Sequence, residues 1–190
     1  MTRAGSFMRR ALIAVLASGL LMVLHSCAPE GASPPPTPAA ELSAAVLRSA
    51  TYSSPYVEEG EVRLTSGRFE DAARRVGVFF LPEYAVGDLD GDSVADAAVL
   101  LSTSTGGSGS FQDLAVVLNH EGVPENAAIF FLGDRVPVDR IRIVDGEIQL
   151  DLTMHGPADP MCCPSVEATR RFRFVEGELA EIEPPSSVPD

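Results

Sequence analysis

Ile141-Arg142-Ile143-Val144-Asp145-Gly146-Glu147-Ile148-Gln149-Leu150-Asp151-Leu152-Thr153-Met154 is the stretch that decides the fold class. Ile148, Leu150, Leu152 and Met154 alternate with Gln149, Asp151 and Thr153, the two-residue period of a strand with one wet face. Asp145-Gly146 is a pair that tolerates positive φ, and between two such runs it marks a two-residue hairpin. Glu176-Gly177 repeats the arrangement between Phe172-Arg173-Phe174-Val175 and Leu179. Toward the N-terminus Val62 and Leu64 alternate with charged neighbours, and residues 78–81, 97–101, 114–118 and 129–132 are short apolar runs bounded by Gly, Pro or Asp. Strands at a spacing of about 10–15 residues, with no helical period between them, argue against a parallel βαβ sheet. Over residues 41–48, Leu42, Ala45 and Val46 share one side of a short helix. The expected fold is mainly β: a single antiparallel meander sheet or half-open barrel with a short N-terminal helix, or else an α+β arrangement. No internal repeat is visible.

Composition narrows the function. The chain has 190 residues, 45% of them hydrophobic, enough for one well-packed domain. Its 14 basic residues are all Arg, which excludes both a phosphate-cradling lysine and a Schiff-base lysine. Against 27 acidic residues they leave a net charge of −13, so nucleic acid is not an expected partner.

Residues 1–26 read as an export signal: Arg3, Arg9 and Arg10, then an apolar run over 11–24, then the small Ser26. That run is about 14 residues, short of the roughly 20 that span a bilayer as a helix. Leu24-His25-Ser26-Cys27 resembles the bacterial lipobox, with His25 where a small or apolar residue is usual. The resemblance implies that Cys27 is acylated and becomes the first mature residue, anchored in a lipid bilayer by its acyl chains, each buried methylene contributing about 0.8 kcal/mol. Ala28 in the next position implies the outer membrane where the host has one. Residues 27–40 are then the lipidated Cys and a linker carrying Pro29, Pro34, Pro35, Pro36 and Pro38, too rich in proline to pack. The β-rich domain is expected over 41–182, and 183–190 form a Pro- and Ser-rich tail.

Gly87-Asp88-Leu89-Asp90-Gly91-Asp92-Ser93-Val94-Ala95-Asp96 is the stretch that carries the most chemistry. Asp88, Asp90, Asp92 and Asp96 occupy positions one, three, five and nine, with the Val94 carbonyl at seven, the order in which a calcium loop presents its oxygens. Carboxylates so close together repel, and a compact loop needs a cation or raised pKa values. Without sulfur or imidazole in the set, Ca²⁺ is expected rather than zinc. Val99 stands where an EF-hand has its bidentate Glu, and the flanks read as strands. The segment resembles the Asp-x-Asp-Gly-Asp loop of the FG-GAP and VCBS families, which implies a calcium loop joining two strands with Asp96 as the closing carboxylate. Ser93 replaces the usual turn glycine, which predicts backbone strain and weaker affinity; a dissociation constant on the order of 10⁻⁴ to 10⁻³ M still suffices outside the cell. A metal-free acidic turn is the alternative.

Two further segments remain. In Ser102-Thr103-Ser104-Thr105-Gly106-Gly107-Ser108-Gly109-Ser110-Phe111 the glycines flank Ser108 directly, not at the spacing of a nucleophile elbow. A loop is expected, and no Ser-His-Asp or Cys-His set is apparent. An enzyme would need a concave site with perturbed titratable groups beside Ser108 or Asp113. The segment His155-Gly156-Pro157-Ala158-Asp159-Pro160-Met161-Cys162-Cys163-Pro164 offers three readings: a vicinal disulfide, two reduced thiols, or a metal site using His155 and Asp159. The succession Gly-Asp-Leu-Asp-Gly-Asp, Asp-Ala-Ala-Val-Leu-Leu, Gly-Gly-Ser-Gly-Ser-Phe, Leu132-Gly133-Asp134-Arg135 and Asp159-Pro160-Met161-Cys162-Cys163-Pro164 resembles a group of uncharacterised bacterial secreted lipoproteins. From Cys163-Pro164-Ser165 to Phe172-Arg173-Phe174 and Gly177 it is also similar to LppP/LprE-type lipoproteins. Neither resemblance brings an activity. The expected function is a lipid-anchored, non-catalytic protein of the bacterial envelope with a calcium-stabilised β domain, exposed to the periplasm or exterior and meeting an envelope protein or glycan. The alternatives are an envelope enzyme and a redox-responsive module built on the Ser/Gly loop or on Cys162 and Cys163.

Overall fold

The computed structural model describes residues 41–160 and 162–183; Cys27, the segment before it and the proline-rich linker lie outside the described residues. Among the described residues one short helix precedes eleven strands: α1 (Ala44–Leu47), β1 (Thr51–Ser53), β2 (Glu61–Arg63), β3 (Arg68–Asp71), β4 (Val76–Gly87), β5 (Asp96–Ser104), β6 (Phe111–His120), β7 (Val123–Asp134), β8 (Val138–Val144), β9 (Glu147–Met154), β10 (Val166–Val175) and β11 (Glu178–Glu183). The mainly β, antiparallel reading and the short N-terminal helix hold. The strands do not lie in one sheet, however, and they close no barrel: β1 pairs with β2, β3 to β7 form a five-stranded meander, and β8 to β11 form a four-stranded one.

The two meanders part at Asp134-Arg135-Val136-Pro137. Arg135 has φ of 53°, and Pro137 has no N–H to continue a ladder. Here the chain leaves the first sheet for the second, its backbone tied to β6 by the Val136 N–H on Gln112 Oε1 (2.9 Å). The Pro137 carbonyl takes the Thr153 N–H of β9 at 2.9 Å. β4 runs close to β8, and β7 to β11, so the sheets stack face to face.

Two cores result, one on each face of the five-stranded sheet. Ala97, Val99, Leu101, Ala115 and Val117 point to the first, beneath α1, β1 and β2, with Leu47, Tyr52, Val62 and Leu64. Ala98, Leu100, Leu114 and Val116 point to the second, against Ile148, Leu150, Leu152 and Phe172 of the other sheet. Strands β5 and β6 are thus covered on both faces, which is why their sequences are unbroken apolar runs while β9 alternates. The Tyr52 hydroxyl donates to the Leu47 carbonyl (2.8 Å), tying the first core to the end of α1.

The hairpins follow the turn chemistry. Asp145-Gly146 (φ 52° and 74°), Glu176-Gly177 (53° and 85°) and Glu121-Gly122 (55° and 91°) have positive φ at both central residues, the condition for a tight turn that matches strand twist. Within β4 the register with β5 shifts between Phe80 and Tyr84, and the intervening Pro82 is accommodated by that irregularity.

Candidate metal centre

The acidic loop joins β4 to β5. Gly87 lets β4 approach β8, for a Cβ there would lie 2.8 Å from Ile143 Cγ2. Leu89 turns inward and is buried in the second core, anchoring the loop by an apolar side chain. The carboxylates around it hold the turn by accepting backbone N–H groups. Asp88 takes those of Gly91 (2.7 Å) and Ser93 (3.0 Å), Asp90 that of Asp92 (3.0 Å), and Asp92 that of Val94 (2.7 Å).

Asp96 opens β5 with its carboxylate buried, Oδ2 accepting from the Leu89 N–H (2.9 Å) and Oδ1 from the Asn119 N–H (3.0 Å). Burial pushes its pKa up; the two backbone donors pull it down, and the charges of Asp90 and Asp92 push it up again. Asn119 belongs to the same corner: its amide donates to the Ala95 carbonyl (3.1 Å) and accepts the Gly122 N–H (2.7 Å). One residue of the loop sits against its backbone preference, Ser93 at φ 69°.

Oxygens of Asp88, Asp90 and Asp96 lie within 4.8 Å of one another. Asp92, expected from spacing to join them, shares the loop but not this group of carboxylates, and Val94, expected to contribute its carbonyl, follows it on the same loop. The Asp92 carboxylate caps Val94 instead. All three grouped donors are carboxylate oxygens with lone pairs left over from single N–H bonds, a donor set that suits a hard cation. The β8–β9 turn comes down beside the loop, and Asp145, Gly146, Arg173 and Phe174 line an open cleft of about 430 Å³ with Asp88, Leu89, Asp90 and Gly91. Glu147 at the base of that turn is held well below the usual carboxylate range by hydrogen bonds from Arg171 and Arg173.

The Ser/Gly loop has a different fate. Ser110 donates its N–H to Asp134 (2.8 Å), shares a hydrogen bond with the Ser102 hydroxyl (3.0 Å) and takes one from the Gln112 amide (3.0 Å). Arg135 donates to the Ser108 carbonyl (3.0 Å) and pairs with Asp134 (2.6 Å). The Gly-Gly-Ser-Gly-Ser and Leu-Gly-Asp-Arg segments, far apart in sequence, therefore stitch one end of the sheet together. Among the described residues no hydrogen bond joins these serines to a histidine.

In the β9–β10 connection the Asp159 carboxylate accepts from Gly156 N–H (2.8 Å), Ser165 N–H (2.8 Å) and Ser165 Oγ (2.8 Å). These bonds hold its pKa down and make it the clip of the loop. Cys162 and Cys163 are bonded to each other.

Two charged groups matter more than their sequence context suggests. Arg170 is buried between the Phe130 and Phe172 rings (5.4 and 5.0 Å to the centroids) and forks onto Glu181 at 2.8 and 2.7 Å. Sequence reasoning missed it; its signal is a place two residues before Phe172, in phase with the apolar face of that strand. Asp113 is buried beneath Tyr56, whose ring stacks on Phe111 at 5.4 Å. No donor among the described residues serves the Asp113 carboxylate, and burial raises its pKa to about 6.

Comparison with models of protein families, with curated proteins and with solved structures finds no match.

Proposed function

We propose that this protein is a bacterial lipoprotein, anchored through Cys27 outside the cytoplasm, whose β domain is braced by Ca²⁺ and serves a non-catalytic binding or structural role in the envelope. One observation carries the calcium reading: the carboxylates of Asp88, Asp90 and Asp96 converge to within 4.8 Å on a loop fixed to a strand buried on both faces. The lipobox-like Leu24-His25-Ser26-Cys27 supports the anchor. Among the described residues no hydroxyl of the Ser/Gly loop is hydrogen-bonded to a histidine or a carboxylate, so nothing in that loop favours the enzymatic alternative.

A cation at this corner neutralises like charges that otherwise repel, and it binds the folded chain alone, so it stabilises by mass action. With a dissociation constant on the order of 10⁻³ M, about 10 mM Ca²⁺ adds roughly 1.4 kcal/mol, which moves the thermal midpoint by about 3–5 °C. The test is thermal denaturation in EDTA and in added Ca²⁺, with Asp90→Ala beside the wild type. The shift is expected in the wild type and lost in the variant. A wild-type midpoint that ignores both EDTA and Ca²⁺ overturns the reading, while an intact shift in Asp90→Ala moves the ion elsewhere.

A further inference from the structure

We infer that Cys162 and Cys163 form a surface site of thiol–disulfide exchange, a pair that a dithiol reductant opens and a disulfide oxidant closes while the domain around it stays folded. The bond joins residues one position apart. A disulfide stabilises chiefly by shortening the unfolded chain's excursions, and a link between neighbours shortens almost nothing. Its presence is therefore not explained by stapling the fold. Both cysteines are exposed, so a partner's sulfur can reach them, the condition that separates chemical from structural cysteines.

The frame that presents the pair does not depend on the bond. Asp159 clips Gly156 to Ser165 across the base of the loop with three hydrogen bonds of 2.8 Å. The Cys163 N–H donates to the Pro160 carbonyl (2.9 Å), and the Ser165 N–H also reaches the Met154 carbonyl (3.2 Å). Gly156 is packed tightly enough that a Cβ would meet Val166 Cγ2 at 3.0 Å. None of these contacts involves a cysteine sulfur. The pair is thus held at the tip of a preformed loop in either state.

The exchange balances with a dithiol as the reductant. One of its thiolates attacks a sulfur of the pair, the Cys162–Cys163 bond breaks, and a mixed disulfide forms. The donor's second thiol then displaces the protein and the donor leaves as its own disulfide. Two electrons and two protons pass to the protein, which ends with two thiols; oxidised glutathione reverses the reaction and leaves as two molecules of glutathione.

The experiment uses the full chain, with dithiothreitol as the donor and the double variant Cys162→Ser/Cys163→Ser, which retains Cys27, as the blank. Without denaturant, reduction is expected to add two hydrogens to the intact mass and to give two more maleimide adducts than the blank. The thermal midpoint should move by less than about 3 °C, the equivalent of roughly 1 kcal/mol in a domain of this size. Oxidised glutathione should then remove the two hydrogens and leave no more glutathione attached than the blank carries on Cys27. Extra thiols that appear only after unfolding, a larger fall in midpoint on reduction, or a persistent glutathione adduct beyond that of the blank would each overturn the inference. The calcium response is read in a separate titration and does not enter this outcome.

Discussion

At the scale of single residues, Ser93 is where sequence and backbone disagree. A non-glycine residue at φ 69° costs about 1–2 kcal/mol relative to glycine, because Cβ crowds the following carbonyl. Ser93→Gly is expected to raise stability by about 1 kcal/mol and to tighten Ca²⁺ binding, measured by chemical denaturation and by titration; a variant less stable than the wild type refutes the strain argument. Asp113 gives a pH signature. Its folded pKa of about 6 lies above the ordinary value of 3.8. Below about pH 4 the group is protonated in folded and unfolded chains alike and costs nothing. Between pH 4 and 6 the unfolded chain gives up the proton first, so stability falls as pH rises, and above that the full penalty of roughly 3 kcal/mol is in force. Asp113→Asn should flatten that decline relative to the wild type and raise stability at pH 7. Parallel stability–pH curves would show that the buried carboxyl does not titrate as its surroundings imply.

At the scale of elements, the readable strands were those whose chemistry is local. The β8–β9 hairpin is legible because alternation and Asp-Gly agree, and β5 and β6 because only a strand covered on both faces tolerates Ala97-Ala98-Val99-Leu100-Leu101 and Leu114-Ala115-Val116-Val117-Leu118. The first half of β10 was not, because Val166-Glu167-Ala168-Thr169-Arg170-Arg171 places an arginine on the inward face where an apolar residue is expected. Its burial depends on Glu181 from the next strand and on two aromatic rings, partners that no short window contains. Arg170→Ala leaves the Glu181 carboxylate without its fork and opens the space between Phe130 and Phe172. A loss of about 3 kcal/mol or more is expected, and replacing the whole pair, Arg170→Met with Glu181→Leu, should recover most of it. Equal losses in the single and double variants would mean that packing, not the unpaired charge, sets the cost. The helix expected over 41–48 shortens to Ala44–Leu47; Ser43 is its cap, and Tyr52, reaching back to the Leu47 carbonyl, fixes its end.

At the scale of the whole molecule, the sequence pointed to a meander but not to its division. The break lies at Val136-Pro137, whose importance depends on Gln112 in a strand two elements earlier. The acidic loop was legible as a loop, and three of its carboxylates converge as expected. Asp92 does not; its carboxylate accepts the Val94 N–H. The antiparallel succession also sorts the connections. The acidic loop and the tight turns at Glu121-Gly122, Asp145-Gly146 and Glu176-Gly177 gather at one pole, while the Ser/Gly loop, the sheet crossover and the cysteine loop gather at the other. Strand β9 runs from the first pole to the second, and at about 3.3 Å per residue its eight residues separate them by about 25 Å. The acidic loop and the cysteine loop thus lie at opposite ends of the strands, too distant for direct contact. On the readings proposed above, an ion taken up at one pole and a sulfur bond opened at the other are two dials on one instrument, neither needing to turn the other.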